Sequence, residues 1–110
     1  MSTLDKAVDF LRDHANDYAV AEGQLVLMQE MRKTVKAELM QEAEQNGHKT
    51  TAAQEREAYA AQRYKEHLMA LQAATENRER TRWMMLACQA RIESEKAQIY
   101  ANQRTDRAFR

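Results

Sequence analysis

Proline is absent from this chain and glycine occurs only twice, at Gly23 and Gly47. A sheet protein or an α/β enzyme needs such residues roughly every dozen positions, because its turns require preset or left-handed backbone conformations. Sandwiches, barrels and nucleotide-binding α/β folds are therefore excluded. The one cysteine, Cys88, closes no internal disulfide and builds no zinc site by itself. Long apolar runs are missing too: the longest, Met84 to Cys88 after Trp83, is far too short to span a bilayer. The chain opens on acidic residues rather than on a basic or apolar leader, so a reduced, cytoplasmic setting is expected. No single sign of charge dominates either, since 17 acidic and 17 basic side chains cancel. That balance argues against a uniformly basic nucleic-acid binder and against an acidic tail.

What remains is 110 residues, 44% apolar and 31% charged, the composition of one small helical domain. One stretch reads as a connection: Asn46-Gly47-His48-Lys49-Thr50-Thr51. Asn-Gly supplies a left-handed C-terminal cap, and Thr51 with Gln54 three residues on forms a capping box for the second helical segment. Ser2 and Asp5 make the same pattern at the chain start. The predicted fold is all-α, a long antiparallel helical hairpin occupying residues 1–110 as a single domain. Its helices run over about 3–46 and about 52–107, with the turn at 47–51. Ala60-Ala61-Gln62-Arg63 is the least anchored point of the second half and leaves room for a short middle helix before Tyr64.

In the first helix Leu4, Val8, Leu11, Ala15 and Tyr18 recur at steps of four and three, a narrow stripe of coiled-coil type. Beyond Gly23 the pattern broadens. Leu25, Val26, Leu27, Met28, Met31, Val35 and Leu39 point in nearly every direction, and a helix apolar all round has to be covered on more than one side. Antiparallel pairing about a turn near residue 49 sets Leu25–Met31 against His67–Ala73, and Trp83–Cys88 against Phe10, Leu11 and Ala15. It also leaves the end of the second helix, with Ile99, Tyr100, Arg104, Arg107, Phe109 and Arg110, without an opposite number. A two-helix layer with this much surplus apolar surface is expected to associate with itself into a helical bundle. Leu25, Leu27, Met28, Met31 and Val35 are the candidate interface.

Catalytic patterns are sparse. His14, His48 and His67 stand far apart, with no Glu-x-x-His or His-x-x-x-His step, so no metal site is read. No glycine-rich phosphate loop occurs, and no nucleophile has a base at readable spacing. The expectation is a non-enzyme without cofactor, small-molecule substrate or membrane association. Charge placement carries more. Residues 1–30 hold six acids and two bases, and residues 78–110 hold four acids and eight bases. Asp5, Asp9, Asp13 and Asp17 recur every fourth position and form an acidic ridge, read mainly as a solvated face and, more sharply, as a docking surface. The basic half interleaves Arg78, Arg82, Arg91, Lys96, Arg104, Arg107 and Arg110 with aromatics, a pattern that suits single-stranded nucleic acid. Within it Trp83 is read as a core residue covered by arginine stems, and Cys88 as packing.

The long first helix ending in Gln45-Asn46-Gly47, the segment Lys49-Thr50-Thr51-Ala52-Ala53-Gln54-Glu55-Arg56-Glu57, the Tyr64 that opens a long final helix, and the Arg82-Trp83 to Gln103-Arg104 stretch together resemble the small all-helical proteins of tailed bacteriophages. In general plan they are similar to the UvsY-type recombination mediators. The resemblance implies an oligomeric protein that binds single-stranded DNA together with recombination proteins, in the host cytoplasm. The leading expectation is thus a phage-type recombination or replication accessory protein. Its alternatives are a helical adaptor or inhibitor acting on a host nucleic-acid enzyme through the acidic ridge, and a purely structural bundle.

Overall fold

The computed structural model describes residues 2–109. It is all-α, with three helices: α1 over Thr3–Gln45, α2 over Thr51–Ala60 and α3 over Gln62–Ala108. Helix α1 starts in the expected reciprocal capping box. The Asp5 amide donates to Ser2 Oγ at 3.1 Å and the Ser2 amide to Asp5 Oδ2 at 3.4 Å, which satisfies amides that have no partner inside the helix. It stops in a Schellman motif. The amide of His48 donates to the carbonyl of Ala43 and that of Gly47 to Glu44, with Gly47 at a φ of 99°, a conformation open to glycine at no steric cost.

The start of α2 differs from the sequence reading by one residue. Thr50, extended at φ −98° and ψ 150°, is the cap, and its hydroxyl accepts from the Ala53 amide at 3.1 Å. Gln54 does not complete a box with Thr51; its amide group reaches back to the His48 carbonyl at 3.0 Å, tying α2 to the turn. The short middle helix is present. Ala61 is extended, at φ −67° and ψ 140°; its amide donates to Ala58, and its carbonyl accepts from Tyr64 and Lys65. The break has a geometric cause: Ala58, Ala61, Tyr64 and His67 lie inward at three successive steps of three. Each such step falls about 60° short of a full turn, so one unbroken helix cannot keep all four on one face.

The chain forms two compact units, one comprising residues up to Ala19 with those from Glu79 onward, the other Val20–Arg78. In each, α1 packs against α3. The core of the first unit is Ala7, Cys88 and Ile92, with Leu4, Phe10 and Leu11 against it. Phe10 and Leu11 thus meet the Trp83–Cys88 segment as expected, but the α1 stripe is shifted. Ala7 is buried and His14 half-buried while Val8 and Ala15 are exposed, because the small Ala7 admits Cys88, whose Sγ stands 2.9 Å from the Ala7 carbonyl. In the second unit Val35, Leu39 and the fully buried Ala58 form the core, with Met40, Ala61 and Tyr64 around them. Here His67 Nε2 lies 2.8 Å from the Met28 carbonyl, within the predicted pairing of Leu25–Met31 with His67–Ala73. No helix of the described residues is long and apolar enough to cross a membrane.

Candidate functional site

The basic residues singled out in the sequence fall into separate settings. Arg78 belongs to the second unit, where its guanidinium is 3.2 Å from a Glu22 carboxylate oxygen and only 27% of its side chain is exposed. It is part of the packing between α1 and α3. The others with a described position stand on α3 in the first unit. Lys96 pairs with Glu93 at 3.5 Å and Arg82 with Glu79 at 3.4 Å. Arg91 borders a shallow apolar groove lined by Lys6, Phe10, Met84 and Cys88. Arg104 and Arg107 share one face of α3 with Ala97, Tyr100 and Gln103, and among the described residues neither meets a carboxylate at ion-pair distance. Arg110 lies outside the described residues.

Trp83 is not a core residue. It is 61% exposed, with the Arg82 guanidinium 5.2 Å from its ring centre. The inward positions around it are Thr81, Met85 and Cys88, which advance by four and three and leave Trp83 between them on the outer side. The final helix therefore presents two aromatic rings beside cations, Trp83 with Arg82 and Tyr100 with Arg104 and Arg107, both open to solvent.

The acidic ridge is locally engaged. Asp5 caps α1, Asp9 and Asp13 both pair with Arg12 at 3.3 and 3.2 Å, and Asp17 Oδ2 is 3.0 Å from His14 Nδ1, with the Phe10 ring 4.2 Å from the imidazole centre. Each aspartate thus has a local partner, Ser2 for Asp5, the one Arg12 for both Asp9 and Asp13, and His14 for Asp17, so the four do not act as one uninterrupted row of free carboxylates. Of the five candidate interface residues, Leu25 and Val35 are buried inside the second unit and Met28 is half-buried. Leu27 and Met31 face solvent together with Val20 and Val26. Val20, Leu27 and Met31 repeat at i, i+7 and i+11, one stripe along α1.

One cluster escaped the sequence reading. Arg32, Lys33 and Lys36, from a single turn of α1, line a pocket with Tyr59 and Tyr64. The Lys36 ammonium lies 4.9 Å from the Tyr59 ring centre and 3.4 Å from a Glu55 oxygen. Its hydrogen bonding to Tyr59 raises its pKa above the 10.5 of an ordinary lysine, an effect that partial burial opposes and Glu55 reinforces. Tyr59 and Tyr64 meet edge to face, ring centres 5.3 Å apart. A balanced charge count over the middle of the chain concealed the grouping, since Glu38, Glu42 and Arg63 of the same region pair among themselves. Among the described residues no group of three or more His, Cys, Asp or Glu side chains is placed to hold a metal ion. No protein-family model, curated protein or solved structure matches the chain.

Proposed function

We propose that the protein is a self-associating accessory protein of phage-type recombination or replication that holds single-stranded DNA on its final helix. The observation that carries the reading is the solvent-open pairing of aromatic rings with cations on α3: Trp83 beside Arg82, and Tyr100 beside Arg104 and Arg107. Single strands are held by this combination, since cations follow the phosphates while aromatic faces accept bases of any sequence. Arg104 and Arg107 are the phosphate contacts, Tyr100 and Trp83 the stacking surfaces. The two rings are about 25 Å apart along the helix at about 1.5 Å per residue, enough for a strand of several nucleotides. Self-association is supported by the exposed stripe of Val20, Leu27 and Met31 in the second unit, an apolar surface that a monomer leaves wet.

The test is fluorescence anisotropy with a thirty-nucleotide oligothymidine over a range of salt concentrations. Arg104→Ala with Arg107→Ala weakens binding at every salt concentration and lowers the salt slope by about one to two units, as loss of two phosphate contacts requires. Helicity stays unchanged, because both side chains are exposed. Absence of salt-sensitive binding by the unmodified protein at low ionic strength refutes the reading.

A further inference from the structure

Arg32 occupies a place where the packing pattern of α1 calls for an apolar side chain. Seven residues before it stands Leu25 and seven after it Leu39, both buried in the second unit, yet Arg32 is exposed. A charge at a seam position weakens a helical pair, and a break of the local rule without structural gain is characteristic of functional positions. The surroundings explain what the seam gives way to. Across from Arg32 are the rings of Tyr59 and Tyr64, and they meet only because Ala61 interrupts the helix. On an unbroken helix residues five apart point about 140° away from each other, so the two rings would diverge. The break thus builds an aromatic wall, and one turn of α1 supplies three cations facing it.

Two of the three cations are paired in place and, among the described residues, one is not. Lys33 has Glu30 at 3.6 Å and Lys36 has Glu55 at 3.4 Å, whereas Arg32 meets no carboxylate among the described residues. A guanidinium with two flanking ammonium groups suits the oxygens of a phosphate, with the guanidinium offering a planar fork and the lysines point charges. Tyr59 is 47% exposed, leaving ring surface for a planar group to stack on. We propose that Arg32, Lys33, Lys36, Tyr59 and Tyr64 form a binding site for a nucleoside phosphate, either free or as one unit of a single strand. Arg32 and Lys33 take the phosphate, Tyr59 takes the base, and Lys36 holds Tyr59 in place from α1. The site lies in the second unit and shares no residue with the α3 contacts, so either reading stands if the other fails.

Ligand-detected NMR and calorimetry on the full chain test it with adenosine monophosphate, adenosine, inorganic phosphate, a tetra-adenylate and a hexaglutamate peptide. Adenosine monophosphate binds at least about tenfold more tightly than adenosine or inorganic phosphate alone, because both halves of the site are engaged. Arg32→Ala, whose exposed side chain supports no packing, loses at least about tenfold in affinity with an unchanged melting curve, as does Tyr59→Leu, while Tyr59→Phe retains binding. The Arg104→Ala, Arg107→Ala variant binds the mononucleotide as the parent does. Tighter binding of tetra-adenylate assigns the site to a strand, and equal affinity assigns it to a free nucleotide. The proposal is overturned by no mononucleotide binding at about 5 mM, by unchanged affinity in Arg32→Ala, or by hexaglutamate binding as tightly as the nucleotide.

Discussion

Two glycines with opposite roles show how much a single residue carries here. Gly47 has a φ of 99°, where a Cβ would crowd the backbone, so Gly47→Ala is expected to cost about 1 kcal/mol. Gly23 lies inside α1, on an exposed position where an added Cβ meets nothing within 4 Å. Glycine in a helix interior loses more backbone freedom on folding than alanine does, so Gly23→Ala is expected to stabilise the protein by about 0.5–1 kcal/mol. Urea titrations of both variants check the pair, and the expected outcome is midpoints moving in opposite directions. The first role was legible from Asn46-Gly47 alone. Arg32 was not, because a positive charge every few residues is unremarkable until the positions on either side of it are known to be buried.

At the scale of elements, the break between α2 and α3 decides most of the local chemistry. The sequence marks it only weakly, by the alanines at 60 and 61, and supplies no side-chain cap there. What imposes it is Ala58, fully buried against Val35 and Leu39, together with the need of Tyr64, His67 and Leu71 to face α1 as well. The sequence reading places the cap of α2 one residue late, at Thr51, for a simpler reason. Thr50 and Thr51 are chemically identical, and only the turn that precedes them selects Thr50. Thr50→Ala is therefore expected to destabilise the protein by about 1 kcal/mol while Thr51→Ala is nearly neutral. Thermal melts followed by circular dichroism distinguish the two, and equal effects would contradict the assignment of the cap.

For the whole molecule the question is where apolar surface goes. Leu25 and Leu27 are two residues apart and look alike in the sequence, yet Leu25 is 2% exposed and Leu27 56%. Leu25→Asp puts an unpaired charge into the core of the second unit, at a cost of several kcal/mol, and unfolds the protein. Leu27→Asp leaves each chain folded and dissolves the proposed assembly. Light scattering with parallel melting curves tests this contrast, and an unchanged mass for Leu27→Asp would remove the α1 stripe from any interface.

Absence of proline, scarcity of glycine and apolar residues at steps of three and four by themselves determined an all-helical chain, its turn at Gly47 and the pairing of its apolar clusters. Helix formation and helix stopping depend on near neighbours, so they are written locally. Only the tertiary structure decided which residue of each apolar pair turns inward, that Trp83 is exposed, and that Tyr59 and Tyr64 converge on Arg32. Those outcomes depend on the phase of one helix against another. A shift of a single residue rotates a side chain by about 100°, which the sequence pattern of either helix alone does not specify.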